Sequence, residues 1–128
     1  MPQPVALITG CSSGIGRALA DAFQAAGYQV WATARRDEDV AVLGQAGFRG
    51  VLLDVNDEPA VERLAELLQR EAGGLDVLIN NAGYGAMGPL LDGSSQAIRR
   101  QFETNVFAVV GVTRALFPAL RARRGLVV

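Results

Sequence analysis

Short apolar runs alternate along this 128-residue chain with longer stretches in which apolar residues recur every three or four positions. The short runs are typical of buried strands, and the longer period is typical of helices that connect parallel strands. The pattern predicts strands at Val5–Thr9, Gln29–Ala34, Gly50–Leu53, Val77–Asn80 and Leu126–Val128. It predicts helices at Gly14–Ala26, Asp39–Gln45, Pro59–Glu71 and Ser95–Arg121. We therefore expect an α/β fold, a doubly wound parallel sheet with helices on both faces.

Residues that end or interrupt helices define several of these boundaries. Gly27 follows the first predicted helix, where a glycine commonly ends one. Pro59 suits the first turn of the third helix, which Asn56 or Asp57 can cap. Pro118 lies inside the last helix and removes a backbone donor, so we predict a kink or a local break there.

Composition limits the class of protein. Half of the residues are hydrophobic, a fifth are charged and the net charge is −1, which excludes a disordered chain and gives no reason to expect nucleic acid as a partner. The apolar runs of the predicted strands are too short to cross a bilayer, so we expect a cytoplasmic protein with no membrane partner. Residues 1–128 are predicted to form one domain. Its apolar end at Leu126–Val128 leads us to expect the N-terminal part of a longer fold, truncated at the fifth strand.

The residue types that are missing limit the chemistry. The chain has no histidine and no lysine, and its twelve cationic side chains are all arginine, which stays protonated. Acid–base catalysis and metal sites built on imidazole are therefore excluded. The single cysteine, Cys11, excludes an internal disulfide and a cysteine-based zinc site, and we expect no metal. Proton transfer is left to carboxylates, this thiol, Tyr28 and Tyr84.

A glycine-rich turn joins the first predicted strand to the first predicted helix. Gly10 permits the tight turn, Gly14 lets backbone amides approach a pyrophosphate, and Gly16 allows close packing of the helix on the strand. The helix N-terminus would offer free N–H groups and its positive dipole end to the anion. The spacing is G-x-x-x-G-x-G, and a P-loop is excluded because it requires a lysine. The turn predicts a dinucleotide site, the alternative being glycines that merely tighten a helix start.

Polar residues follow the third and fourth predicted strands, where open α/β sheets bind ligands. Asp54 could accept a hydrogen bond from an adenine amino group or could cap a helix. Asn80 and Asn81 could bind a ribose or tie the neighbouring loop. Asn105 lies among apolar residues of the last helix, where a buried amide must be hydrogen-bonded, and could serve a site or fix the helix on the sheet.

Five ordered motifs resemble those of the short-chain dehydrogenase/reductase superfamily. They are T-G-x-x-x-G-I-G at 9–16, Asp54-Val55, Asn80-Asn81-Ala82-Gly83, Asn105-Val106 and the approach to the fifth strand at Arg121–Val128. The resemblance covers essentially the whole chain. It implies a Rossmann-like fold, with residues 1–128 as the dinucleotide-binding domain. It also implies an NAD(P)(H)-dependent oxidoreductase that transfers a hydride between the nicotinamide and a secondary alcohol or ketone.

An arginine pair follows the second predicted strand, close to where NAD-specific folds keep an acidic ribose ligand. Arg35 and Arg36 could bind a 2′-phosphate through bidentate, charge-assisted hydrogen bonds, and Ser12 could add a hydroxyl. The acids at 37–39 argue against this, although acids at a helix start also complement its dipole. We expect NADP(H) rather than NAD(H), the alternative being a solvated charge cluster.

The resemblance implies roles for individual residues. Asn105 would belong to the catalytic site, holding a water and backbone groups. The helix Ser95–Arg121 would pack against its counterpart in a homo-oligomer. The residues implied to contact the cofactor are Gly10, Ser12, Ser13, Gly14, Ile15, Gly16, Arg35, Arg36, Asp54, Val55, Asn81, Ala82 and Gly83.

The sequence departs from the family pattern at the reaction centre. The family's Tyr-x-x-x-Lys pair has no counterpart, because Tyr28 and Tyr84 are followed four positions later by Ala32 and Gly88. We therefore expect residues 1–128 to be inactive alone. Two alternatives remain open: a non-catalytic nucleotide-binding module, and an oligomerisation module built on the long helix.

Overall fold

One parallel sheet of five strands forms the centre of the computed structural model, which describes residues 2–128. In chain order its strands are Val5–Ile8 (β1), Gln29–Ala34 (β2), Arg49–Leu52 (β3), Val77–Ile79 (β4) and Leu126–Val127 (β5). Their order in space is β3-β2-β1-β4-β5, and every neighbouring pair is parallel. The order changes direction between β1 and β4, which is the switch point where open α/β sheets bind ligands.

Helices cover both faces of this sheet, as predicted. They are Gly14–Ala25 (α1), Asp37–Gln45 (α2), Glu58–Ala72 (α3), Ser95–Phe102 (α4) and Ala108–Arg123 (α5), with a 3₁₀ turn at Leu90–Asp92 and a π-helical turn at Glu103–Phe107. The consecutive residues Leu7 and Ile8 of β1 are both fully buried, each in a different core. Leu7 packs with residues of α3 and α5, and Ile8 packs with residues of α1 and α2. Burial on both faces explains why the strands read as continuous apolar runs.

Two predicted helix boundaries are confirmed. Asp57 caps α3, its carboxylate accepting a hydrogen bond from the N–H of Ala60 at 3.2 Å, with Pro59 in the first turn. Gly27 follows the end of α1 with φ of +92°, a conformation that favours glycine. These contacts define the two connections that lead into β2 and out of β3.

The last helical segment differs from the prediction of one helix over Ser95–Arg121 that breaks at Pro118. The α-helix instead continues through Pro118 to Arg123, and the irregularity is the π-helical turn at Glu103–Phe107. Pro118 is exposed, so water can satisfy the carbonyl that loses its intrahelical donor. The π-helical turn places Asn105 where its side chain meets the loop after β4.

Within residues 2–128, the helical run Ser95–Arg123 is long and apolar enough to cross a membrane by length and composition. The run also contains Val112, Leu116 and Leu120, which are buried in the core shared with α3. These contacts place the α5 part of the run against one face of this sheet.

Candidate functional site

The predicted site residues gather at one edge of the sheet. The glycine turn follows β1, Arg35 and Arg36 follow β2, Asp54 comes two residues after β3, and Asn81 comes two residues after β4. Because the strands are parallel, these segments all lie at the carboxyl edge. The loop after β4 also meets the π-helical turn that carries Asn105.

Each of the three positions in the turn favours glycine for a different structural reason. A Cβ at Gly10 would lie 2.9 Å from the Cα of Ala82, and a Cβ at Gly16 would overlap the carbonyl oxygen of Gly10. A Cβ at Gly14 would meet nothing within 4 Å, but the residue has φ of +61°. Gly10 and Gly16 therefore serve close packing, whereas Gly14 leaves open space beside the helix start.

The start of α1 carries hydrogen-bond donors that the helix does not use. Its first intrahelical bond runs from the N–H of Arg17 to the carbonyl of Ser13, which leaves the N–H groups of residues 14–16 free of helical acceptors. Ser13 is the N-cap, yet its hydroxyl caps no N–H group within the described residues. Ile15 is 73% exposed in the same turn. Free N–H groups and the positive helix end suit an anion such as a phosphate.

Asn81 ties the loop after β4 to the glycine turn. Its Nδ2 donates to the carbonyl oxygens of Thr9 at 3.1 Å and of Gly10 at 3.0 Å. The buried Oγ1 of Thr9 accepts from the N–H groups of Asn81 at 3.1 Å and of Ala82 at 2.9 Å. The geometry supports the tying role for this asparagine. Both N–H groups of its amide are used, so only its Oδ1 could contact a ligand.

The side-chain amide of Asn105 binds both the backbone N–H and the backbone carbonyl of Tyr84. The N–H of Tyr84 donates to Oδ1 at 3.0 Å, and Nδ2 donates to the carbonyl of Tyr84 at 2.6 Å. A Cβ at Gly83 would lie 2.9 Å from the same Oδ1, so the glycine allows this approach. Asn105 is exposed rather than buried as expected, although its amide is hydrogen-bonded. The side chain of Asn105 therefore positions the loop. Only its backbone N–H and carbonyl, which belong to the π-helical turn, could contact a ligand.

The two arginines after β2 are in different situations. Nε of Arg36 donates to Oδ2 of Asp39 at 3.1 Å, on an exposed surface. Arg35 is also exposed and forms no ion pair within residues 2–128. Asp54 accepts the N–H of Asn56 at Oδ1, at 2.9 Å, which leaves Oδ2 available. The half-buried Val55 provides an apolar surface beside it.

Cys11 lies fully buried beneath the turn. Its thiol donates to the carbonyl of Ile8 at 3.2 Å, and its N–H donates to the carbonyl of Thr33 at 2.7 Å. Burial raises the pKa of the thiol to about 11, against smaller lowering effects of the Thr33 hydrogen bond and the Arg17 charge. A thiol that is neutral and buried at pH 7 serves neither as a base nor as a nucleophile.

Four polar residues that organise this edge lie outside the set predicted to form the site. Thr33 accepts the N–H of Gly10 at 3.3 Å, and Thr9 anchors the loop after β4. Nδ2 of Asn56 donates to Oγ1 of Thr104 at 2.9 Å. A polar residue inside an apolar strand was the available signal for the two buried threonines.

Comparison with known proteins gives a consistent result. The family model described as short chain dehydrogenase matches residues 4–128. The Short-chain dehydrogenase ptmH of Penicillium ochrochloron is 40% identical over 131 residues, which cover 100% of this chain and 48% of that protein. The NADPH-dependent 3-dehydrocapnine reductase of Ornithobacterium rhinotracheale is 37% identical over 124 residues, covering 93% of this chain and 44% of that protein.

A solved structure is similar over the same region. The alcohol dehydrogenase of the archaeon Thermococcus sibiricus, complexed with 5-hydroxy-NADP, is 29% identical with a TM-score of 0.87. The match covers 97% of this chain and 56% of that chain. The present chain thus spans about half the length of the curated relatives it matches.

Proposed function

The chain belongs to the short-chain dehydrogenase family, and on that premise we propose that it binds NADP(H) at the carboxyl edge of its sheet. Residues 1–128 would form the cofactor-binding half of an oxidoreductase that acts on a secondary alcohol or ketone. The nicotinamide, when bound, supplies or accepts the hydride. The residues of this chain hold and orient it.

The observation that carries the proposal is the start of α1. Free N–H groups at 14–16, the unused Ser13 hydroxyl and the open space beside Gly14 lie together at the switch point of the sheet. A pyrophosphate fits this arrangement because it needs close backbone approach and several donors. Across the sheet edge, Oδ2 of Asp54 could accept the adenine amino group beside Val55.

Arg35 supports a preference for NADP(H). Its guanidinium follows β2 and is not engaged by a carboxylate of residues 2–128, so it can meet a 2′-phosphate with charge-assisted hydrogen bonds. Arg36 would be the weaker ligand, because its Nε is bonded to Asp39 and the carboxylate beside its guanidinium disfavours a second anion. The relative from Ornithobacterium rhinotracheale is named as an NADPH-dependent reductase, which agrees with a preference for NADP(H).

Proton transfer in the reaction would need groups other than those of residues 1–128. The family's Tyr-x-x-x-Lys pair has no counterpart here, because these residues contain no lysine, and they contain no histidine either. The thiol of Cys11 is buried with a raised pKa. Asn105 would contribute in two ways. Its side chain would hold the loop at Tyr84, and its backbone in the π-helical turn could bind a water. We expect residues 1–128 alone to bind the cofactor without turning over a ketone.

The outward face of α5 favours a second role in homo-oligomer formation. Phe107, at the end of the π-helical turn, and Val110 and Phe117 of α5 form an apolar stripe and are each at least half exposed. Arg114 lies between them, beside a groove that also contains Glu58 and Glu62 of α3. An apolar stripe with both signs of charge is suited to an antiparallel contact with a second copy.

Kinetics of the intact protein test the proposed activity. NADPH oxidation should depend on an added ketone, and NADP⁺ reduction should depend on a secondary alcohol. A protein that binds NADPH tightly but supports neither reaction across a broad panel would favour the non-catalytic nucleotide-binding alternative.

A further inference from the structure

We propose that Asn56 and Thr104 are positioning residues that couple the adenine side of the site to the loop at Tyr84. The inference rests on the proposed nucleotide site, because Asp54 is its starting point. Neither residue belongs to the sets predicted to contact the cofactor.

The coupling runs through a connected set of hydrogen bonds. Oδ1 of Asp54 accepts the backbone N–H of Asn56 at 2.9 Å. The side chain of Asn56 then donates from Nδ2 to Oγ1 of Thr104, also at 2.9 Å. The second bond joins residues 48 positions apart, so it links the loop after β3 to the π-helical turn.

Thr104 and Asn105 are consecutive in that turn and contact different segments. Thr104 binds the loop after β3, whereas Asn105 binds the backbone of Tyr84 with two hydrogen bonds. The turn therefore connects the two loops that flank the site. Beyond Tyr84 the loop carries Met87 and Leu91, both almost fully exposed, and every residue from 85 to 93 is exposed.

Occupation of Asp54 should therefore order the loop at a distance. An adenine that binds Oδ2 fixes the carboxylate, and a fixed carboxylate restricts Asn56 and its bond to Thr104. One net hydrogen bond of this kind is worth a factor of roughly 2 to 10 in an equilibrium. By linkage, losing the bond should weaken nucleotide binding by no more than that same factor.

Hydrogen exchange of the intact protein, followed by mass spectrometry on the millisecond scale, provides the test. The probe is adenosine 2′,5′-bisphosphate, which occupies the adenine side and has no nicotinamide to touch the loop directly. We expect saturating probe to slow exchange at residues 84–93 by roughly 2- to 10-fold in the unmodified protein. Thr104→Val and Asn56→Ala should each abolish this slowing, and Thr104→Ser should retain it.

Thr113→Val is the matched control, because Thr113 also accepts a hydrogen bond from an asparagine side chain, that of Asn80 at 3.1 Å, but lies in α5 beyond the π-helical turn. It should leave the slowing at 84–93 intact. Slowing that survives in both Thr104→Val and Asn56→Ala, or that Thr113→Val also removes, would overturn the inference. A bound probe that slows nothing in the unmodified protein would overturn it as well. Failure of the probe to bind would instead overturn the nucleotide site itself.

Discussion

Arg36 is held by Asp39 across one turn of α2, with Nε 3.1 Å from Oδ2, while the neighbouring Arg35 forms no ion pair in residues 2–128. An exposed ion pair of this kind contributes only about 0–1 kcal/mol. It nevertheless places a carboxylate beside one guanidinium and leaves the other free. The two arginines, adjacent in sequence, would therefore be unequal ligands for the proposed 2′-phosphate.

This inequality predicts different effects on cofactor selectivity. Arg35→Ala should lower the ratio of kcat/KM for NADPH to that for NADH by about 10- to 100-fold, since a hydrogen bond to a charged group is worth about 1.5–3 kcal/mol. Arg36→Ala should lower it only a few-fold, and Arg35→Asp should level or reverse the preference. Steady-state kinetics with both cofactors measures each ratio. A larger loss in Arg36→Ala, or an unchanged ratio in Arg35→Asp, would show that the assignment is wrong.

Gly16→Ala should damage the fold, because the new Cβ would overlap the carbonyl oxygen of Gly10. We expect it to lower the free energy of unfolding by about 1–3 kcal/mol. Gly44→Ala is the matched control, since a Cβ at this helical glycine meets nothing within 4 Å. It should raise stability by about 0.5–1 kcal/mol. Urea denaturation measures both, and equal effects of the two substitutions would contradict the packing role of Gly16.

The buried thiol of Cys11 predicts a loss of stability at alkaline pH. Burial raises its pKa from 9.0 to about 11, so the folded protein keeps the proton that the unfolded chain releases. The stabilising contribution is complete below pH 9 and is lost as the pH rises toward 11. Between about pH 8 and about pH 10.5, the unmodified protein should lose about 2 kcal/mol more than Cys11→Ala. Parallel losses in the two proteins, measured by chemical denaturation, would show that this thiol does not carry the effect.

The exposed apolar stripe of α5 predicts a solution oligomer. Val110→Asp should shift the intact protein toward a monomer, because a carboxylate in the middle of the apolar contact would have to lose its water on association. Val42→Asp is a control on α2, where an equally exposed valine lies on the opposite face of the sheet. Analytical ultracentrifugation measures the association state. An unmodified protein that stays monomeric at micromolar concentration would exclude the stripe as a homo-oligomer contact.

The fold could be predicted because period and turn chemistry are local signals. The apolar runs gave all five strands, and Gly27 and Asp57 marked helix boundaries through short-range bonds. Strand ends were less certain. Thr9 and Asn80 were predicted to lie in strands, but Thr9 uses its side chain to accept from the next loop and Asn80 donates to Thr113.

The arrangement of the site needed contacts that no local pattern contains. The partner of Asn105 lies 21 residues away at Tyr84, and the partner of Asn56 lies 48 residues away at Thr104. The π-helical turn contains Thr104 and Asn105, which form these two long-range contacts. Pro118, where a break was predicted, lies eleven residues after the turn, and the helix accommodates it at the surface. The sequence therefore predicted which polar residues lie at this edge of the sheet, but it did not predict which partners they bind.

Calorimetric titration of NADPH into the intact protein and its Gly14→Val variant tests the central claim most directly. The valine would occupy the open space beside the start of α1 that the pyrophosphate requires. Gly27→Val is the control, since Gly27 also has positive φ and no neighbour within 4 Å of a Cβ, but lies beyond the other end of α1. We predict one NADPH per chain for the unmodified protein and for Gly27→Val, with no detectable binding to folded Gly14→Val. Equal binding to all three proteins, or none to the unmodified protein, would contradict a nucleotide site at this turn.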